Sequence, residues 1–257
     1  MTQPFIIDAH LHDNLMGLFI AEPTGLDAML RMMDRLNVRL AVCTSQEALV
    51  LGGGLASARR AFEQSDGRGY YLGVFDPNHP AECLRALREA VGWPGFVGIK
   101  LHPPFHTTMA DHPGYRPAWD FAAEHGLTIL THSWSLSDYN PAQRFATPER
   151  FECYIREFQQ VRFVFGHAGG RGTGRAHVVR LANLYPRVYL DIAGDIYCRG
   201  LIEDLAASVP ADRILFGTDY PMMDPRSNLT RVLLSPVSTE AKRLILADNA
   251  MRAYQLA

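Results

Sequence analysis

The sequence lacks the features that would direct a chain to a membrane or out of the cell. Its first residues, MTQPFIIDAH, contain no basic segment and only a short apolar run, so no signal peptide is predicted. No uninterrupted apolar stretch reaches the roughly 18 residues that a membrane-spanning helix requires. These absences predict a cytoplasmic protein without a membrane partner.

Paired cysteines and a strong net charge are also missing. Four cysteines are present, widely separated and without a C-x-x-C pair, so we expect reduced thiols and neither a disulfide framework nor a cysteine zinc site. The formal net charge of −2 gives no electrostatic reason to expect nucleic acid as a partner. A small-molecule partner is the remaining expectation.

Nucleotide-binding motifs are absent as well. The glycine run 52–54 lacks the spacing of a phosphate loop, and we expect it to be a flexible loop. The first predicted strand ends in DAHLH, residues 8–12, where a dinucleotide-binding fold would carry a glycine-rich turn. An open, doubly wound sheet is therefore the less favoured arrangement of this chain.

What the sequence does contain is a repeated alternation of apolar strands and helix-like segments, at intervals of roughly 26–35 residues. The predicted strands are Phe5–His12, Val38–Thr44, Tyr70–Asp76, Phe96–His102, Leu127–His132, Arg162–His167, Val188–Ala193 and Ile214–Asp219. Such alternation forms a parallel sheet covered by helices, and eight units close into a barrel. We predict an α/β protein in which residues 1–257 form a single (β/α)8 TIM barrel, regular or distorted.

Ionisable residues recur at the C-terminal ends of these predicted strands, where the active sites of such barrels lie. They are His10, His12, Lys100, His102, His132, His167, Asp191 and Asp219. An unpaired charge at the end of an apolar strand costs several kcal/mol, and a metal ion would compensate it. His10 and His12 project to one face of their strand and suit zinc, unless one of them packs and the other is solvated.

The motifs DAHLH, GIKLHPP, ILTHS, FGHAGG and FGTDYP, in this order, closely resemble the amidohydrolase superfamily. The similarity is greatest to the branch that contains aminocarboxymuconate-semialdehyde decarboxylase and the resorcylate decarboxylases. The resemblance implies that His10, His12 and His132 are metal ligands and that Asp219 is a ligand, the catalytic base or both. It makes His167 either a ligand of a second metal or the group that polarises or protonates the substrate.

The number of metal ions depends on Lys100. In binuclear members of the superfamily a lysine on strand four is carboxylated and bridges two metals, and GIKLHPPFHTT resembles that stretch of dihydroorotase. The decarboxylase-like branch is mononuclear, and an unmodified Lys100 is then an inward ammonium near acidic groups such as Asp8. We expect one divalent ion, zinc with manganese as the alternative, rather than a binuclear centre held also by carboxylated Lys100 and His167.

Four residues are candidates for contact with the substrate. They are His102, Arg171, Tyr139 and Lys100. His102 is otherwise a packed core histidine. Arg171, near the start of a helix, could bind a carboxylate through two hydrogen bonds, or could be an ordinary surface residue. Aromatic side chains in the strand-end loops suit a planar substrate or simply pack those loops. They are Phe105, His106, Trp134, Tyr139 and Tyr197.

Together these features predict a metal-dependent hydrolase in which activated water attacks a carboxylic ester, lactone or amide of a small acidic substrate. Asp219 and His167 would be the acid–base residues. The alternatives are a non-oxidative decarboxylase of a small unsaturated or aromatic acid, using the same metal site, and an inactive barrel that binds a ligand or partner. Barrels of this type commonly dimerise, so a homodimer is a further expectation.

Overall fold

The computed structural model describes residues 4–13, 25–45 and 55–256. Eight parallel strands lie in chain order, each hydrogen-bonded to the next. They are β1 Ile6–Leu11, β2 Val38–Thr44, β3 Gly69–Val74, β4 Phe96–Leu101, β5 Thr128–Thr131, β6 Arg162–Phe165, β7 Val188–Asp191 and β8 Ile214–Leu215. The predicted (β/α)8 barrel is therefore confirmed. The glycine run 52–54, predicted to be a flexible loop, lies outside the described residues.

The barrel closes between β8 and β1 through separate hydrogen bonds rather than a regular ladder. The backbone N–H of Ala9 donates to the carbonyl of Phe216 at 2.9 Å, and that of Asp219 donates to the carbonyl of His10 at 2.8 Å. Asp219 has a φ of 61°, which lies outside the extended region. The regular part of the last strand ends at Leu215, before the predicted end at Asp219.

Helices surround the strands. They are α1 Leu26–Leu36, α2 Ala56–Gln64, α3 Pro80–Ala90, α4 Pro103–His106, α5 Arg116–His125, α6 Glu152–Glu157, α7 Thr173–Leu184, α8 Leu201–Ser208, α9 Pro225–Leu234, α10 Thr239–Arg243 and α11 Asn249–Tyr254, with a π-helical turn at Leu244–Asp248. Helix α9 was not predicted from hydrophobic periodicity, although Asp224 caps it and Pro225 begins it, as at many helix starts. Within the described part of the chain, no helix has the length and apolar character to cross a bilayer.

The C-terminal helix fills the N-terminal end of the barrel. Inward side chains of the strands, including Ile7, Val42 and Leu130, form a buried cluster with Ala250 and Tyr254 of α11. Hydrogen bonds fix this helix: the hydroxyl of Tyr254 donates to the carbonyl of Ala9 at 3.2 Å. Because one end of the barrel is packed shut, the polar strand ends lie at the opposite end.

Candidate metal centre

Three of the predicted ligands meet at the C-terminal end of the barrel. His10 lies in β1, His12 follows it, and Asp219 is placed beside them by the closure of β8 onto β1. Oδ1 of Asp219 lies 3.2 Å from Nε2 of His12 and 3.8 Å from Nε2 of His10. The donor atoms of the three residues lie within 4.8 Å of one another, so the group could hold a metal ion.

Two of the site imidazoles are held in one tautomer by backbone carbonyls. Nδ1 of His12 lies 2.9 Å from the carbonyl oxygen of Thr44, and Nδ1 of His167 lies 3.0 Å from that of Ala193. A carbonyl oxygen can only accept, so each Nδ1 carries a hydrogen, and the nitrogen that can offer a lone pair is Nε2.

His10 has a polar partner on both sides of its ring. Nδ1 lies 2.9 Å from Oδ2 of Asp191, and Nε2 lies 2.8 Å from Nζ of Lys100. Burial, together with the charge of Lys100, lowers the pKa of His10 to about 4, so the ring is neutral. Asp191 then accepts the Nδ1 hydrogen, and the Nε2 lone pair faces Lys100. Lys100 was expected to be an inward ammonium near acidic groups such as Asp8. It is buried and lies near Asp219 and Asp191, and its hydrogen-bond partner is His10.

Two other aspartates beside His10, Asp8 and Asp219, differ in ionisation. Burial raises the pKa of Asp8 to about 7, outweighing the hydrogen bonds from Thr218 and from the backbone of His10 that lower it. Burial acts on Asp219 in the same direction, but the hydrogen bond with His12 and the positive charges that His167, His10 and His12 carry when protonated hold its pKa well below the usual range. Asp219 is therefore a carboxylate at neutral pH.

Lys100 is a buried amine at the same strand end. Burial lowers its pKa to about 8, against the opposing charges of Asp219 and Asp191. With this pKa the side chain is mostly an ammonium at neutral pH. It thus places a positive charge where the lone pair of His10 points.

His132 lies beside the cluster of His10, His12 and Asp219 but does not belong to it. Its ring centroid is 4.8 Å from that of His167, and its Nε2 lies 2.8 Å from Oε1 of Gln143, which leaves the lone pair on Nδ1. Among the described residues, the clusters with ligand atoms within 4.8 Å of one another do not include His132. Its ligand role stays a prediction.

A stack of rings forms one wall of the site. His102 lies between His132 and Phe105, with ring centroids 4.5 Å and 4.0 Å away. Burial and the neighbouring histidines lower the pKa of His102 well below its usual range, so the ring is neutral. Trp134 continues the wall on the other side of His132, at 6.3 Å.

The remaining predicted contact residues are not among these stacked rings. Arg171 is exposed, and its Nη2 donates to the carbonyl of Asp195 at 2.8 Å. Tyr139 is 97% exposed, so its ring is not part of the wall. His106 is the last residue of α4, and its Nδ1 is 3.1 Å from the hydroxyl of Tyr115.

Several residues that shape the site were missed or only partly anticipated. Asp191 was predicted to lie at a strand end, but its hydrogen bond with His10 was not predicted. Gln143, in the 3-10 segment Pro141–Ala146, carries no periodic signal that could have indicated its contact with His132. Thr44 and Ala193 contact the histidines through backbone carbonyl groups, so their residue types give no indication of these contacts.

Another concavity lies away from these residues. It has a volume of about 350 Å³ and lies between the start of α8 and the end of α9, near Leu201 and Leu234. None of the strand-end histidines lines it.

An eight-stranded parallel barrel with imidazoles and a carboxylate at its C-terminal strand ends is the architecture of metal-dependent hydrolases and decarboxylases. The amidohydrolase family model matches residues 7–256, which shows that the chain belongs to this family. Among curated proteins, none matches the chain significantly.

Solved structures share the fold at low sequence identity. An uncharacterised TIM-barrel protein from Bordetella bronchiseptica is 20% identical with a TM-score of 0.78, covering 98% of each chain. A 2,6-dihydroxybenzoate decarboxylase from Rhizobium is 18% identical with a TM-score of 0.73, covering 99% of each chain. A probable 2-pyrone-4,6-dicarboxylic acid hydrolase from Acinetobacter baumannii is 14% identical with a TM-score of 0.66, covering 97% of this chain and 99% of its own.

Proposed function

We propose that the protein is a metal-dependent hydrolase that acts on a carboxylic ester, lactone or amide of a small acidic substrate. The observation that carries the proposal is the convergence of Nε2 of His10 and Nε2 of His12 on the carboxylate of Asp219. The other nitrogen of each ring is bonded to an oxygen acceptor, as in nearly all metal-ligating histidines. The donor set therefore fits a divalent ion.

In this proposal His10, His12 and Asp219 hold one ion, and His132 contributes its Nδ1. Three imidazoles and a carboxylate suit zinc, with manganese as the alternative. When bound, the ion would supply a Lewis acid and lower the pKa of water. Lys100 lies 2.8 Å from Nε2 of His10, so its ammonium has to move or lose its charge before His10 can bind a cation.

The side chains supply the proton transfers. Asp219 is ionised and can accept the proton of the attacking water. His167 donates through Nδ1 to the carbonyl of Ala193, so its Nε2 is left to contact the substrate or to carry a proton to the leaving group. The rings of His102 and Trp134 provide a flat surface for a planar substrate, and Arg171 at the rim is the candidate contact for its carboxylate.

A decarboxylase is the second candidate, favoured by the stack of His102 on His132 and Phe105. A flat aromatic acid fits against such a wall, and one structural neighbour is a 2,6-dihydroxybenzoate decarboxylase. On this alternative His167 or Asp219 protonates the carbon atom that loses carbon dioxide. A third alternative is a barrel that binds a ligand without converting it.

The experiment that separates these candidates follows the atoms of water and of the carboxyl group. Protein purified without chelator is analysed for zinc and manganese, then incubated in H2(18)O with small lactones, esters and amides and with hydroxylated benzoic acids. A hydrolase gives product acid carrying one oxygen from water, and a decarboxylase releases carbon dioxide instead. Turnover that persists after the metal has been removed would contradict the proposed metal dependence.

We also propose that the enzyme acts as a homodimer on a free small molecule rather than on nucleic acid or at a membrane. The chain has a mass of 28.7 kDa, so light scattering should give about twice that mass for the dimer. A mass equal to one chain would contradict this assembly.

A further inference from the structure

Asp191 connects three neighbouring strands at the site. It ends β7 and is fully buried. Its Oδ2 lies 2.9 Å from Nδ1 of His10, while its Oδ1 accepts the backbone N–H of His167 at 2.9 Å and that of Ala193 at 3.0 Å. One carboxylate therefore joins β1, the turn after β6 and the end of β7.

The turn that Asp191 holds has an unfavourable backbone conformation. His167 and Ala168 have φ values of 61° and 46°, in the left-handed region that residues other than glycine seldom adopt. Two hydrogen bonds fix His167 there, from its backbone N–H to Asp191 and from its Nδ1 to the carbonyl of Ala193. The end of β7 thus determines both the backbone and the ring of His167.

A metal-ligand role for Asp191 is the competing interpretation, because its donor atoms lie within 4.8 Å of those of His10 and His167. Both of its oxygens are already engaged, Oδ1 by two backbone N–H groups and Oδ2 by the ring of His10. The nitrogen that His10 turns toward Asp191 is Nδ1, whereas its Nε2 faces Lys100 and Asp219. These contacts are those of a hydrogen-bond acceptor that orients a ring.

We propose that Asp191 is a positioning residue for two site histidines and not a metal ligand. By accepting the Nδ1 hydrogen of His10, it keeps that ring in the tautomer whose Nε2 lone pair faces Lys100, with Asp219 beside it. By accepting the N–H of His167, it holds the turn that places the second ring. The consequence for metal binding rests on the proposed function, whereas the tautomer of His10 is a property of the protein alone.

The test is Asp191→Asn, studied as metal-free protein by 1H–15N correlation spectroscopy of the imidazole rings, with His10 assigned from His10→Gln. Asparagine keeps the shape, and its oxygen can still accept from the two backbone N–H groups. Its NH2 group then points at Nδ1 of His10 and donates. We expect the proton on Nδ1 in the wild type and on Nε2 in the variant.

The second readout is zinc affinity, measured by competition with a chelator. Moving the proton onto Nε2 blocks the nitrogen proposed as a ligand, so we expect zinc to bind about 10–100-fold more weakly to Asp191→Asn. Asp8→Asn is the matched control. Asp8 is an equally buried carboxylate that contacts the backbone N–H of His10 at 3.2 Å rather than its ring. It should keep the wild-type tautomer and a zinc affinity close to that of the wild type.

Several results would overturn the proposal. A proton on Nε2 of His10 in the wild type would contradict it, and this result does not depend on the folding of any variant. A folded Asp191→Asn protein with the wild-type tautomer would also contradict it. Two zinc equivalents in the wild type, with one lost in the variant, would show that Asp191 is a ligand. The expected tautomer switch without any zinc binding would support the role of Asp191 and contradict the proposed function instead.

Discussion

At the scale of single residues, four of the site histidines are each oriented by an oxygen atom on a neighbouring part of the chain. The acceptor is a backbone carbonyl for His12 and His167, a carboxylate for His10 and an amide oxygen for His132. This arrangement leaves one unprotonated nitrogen on each neutral ring. The donors for a cation are thereby set before any ion binds, while Asp219 supplies the negative charge.

Asp219→Asn tests the proposed proton-transfer role of this carboxylate. The amide keeps the size of the side chain but cannot accept a proton from water, so we expect kcat to fall by roughly 10²–10⁴-fold. The unfolding midpoint in urea should stay near that of the wild type. Asp138→Asn, at an exposed position, is the control and should keep full activity. A loss smaller than about tenfold would argue against the role.

The pH dependence of stability should carry a contribution from His106. Burial lowers its pKa to about 4 in the folded protein, against about 6.5 in the unfolded chain. Between these values only the unfolded state binds the proton. Acidification therefore lowers the free energy of unfolding by about 1.4 kcal/mol per pH unit, and the stability returns as the pH rises through this window.

His106→Gln removes this titration. Urea unfolding at several pH values between about 4 and 6.5 should show that the variant loses less stability on acidification than the wild type does. Other titrating groups contribute equally to both proteins, so the difference between the two profiles isolates His106. Parallel profiles would mean that His106 takes up its proton without unfolding.

At the scale of elements, strand periodicity and strand order predicted most of the barrel. The alternation in β1 was sufficient to place His10 and His12 on one face, and the end of the eighth apolar run brought Asp219 to them. The acceptors that orient the rings were not predictable. Thr44 and Ala193 act through backbone carbonyls, whose positions depend on the register between strands rather than on residue type.

The turn after β7 provides a test of how closely the backbone packs on the site. Gly194 has a φ of 81°, and a Cβ there would lie 2.6 Å from Nδ1 of His167. Gly126 has a φ of 66° with open space around it. Gly194→Ala and Gly126→Ala should each lose roughly 1–2 kcal/mol of stability through the left-handed conformation.

Only Gly194→Ala should also lose activity, because its methyl group displaces the ring of His167. A misplacement of this size can lower kcat by about 10²-fold. The rate is measured on protein that circular dichroism shows to be folded. Equal activity of the two variants would show that the ring of His167 tolerates displacement.

At the scale of the whole molecule, the two ends of the barrel have separate tasks. Helix α11 packs one end shut, and the polar residues gather at the other. Tyr254→Ala should therefore lower the free energy of unfolding by about 3–5 kcal/mol through the lost packing. Tyr254→Phe should cost about 1 kcal/mol through the lost hydrogen bond to Ala9.

Both variants should keep the kcat of the wild type per folded molecule, since Tyr254 packs in the closed end and bonds to a backbone carbonyl, not to a side chain of the site. Urea denaturation gives the stability, and active-site titration corrects the rate for unfolded protein. A fall in kcat for Tyr254→Phe would show that the two ends are energetically coupled.

The burial of Lys100 has a consequence for chemical footprinting. The sequence contains two lysines, and the other, Lys242, lies in α10 near the surface, where its Nζ donates to the carbonyl of Leu233 at 2.7 Å. An amine-directed acylating reagent therefore meets one accessible lysine and one enclosed within the barrel, where Lys100 is 1% exposed. The ratio of the two labels measures how often the interior of the barrel admits a reagent molecule.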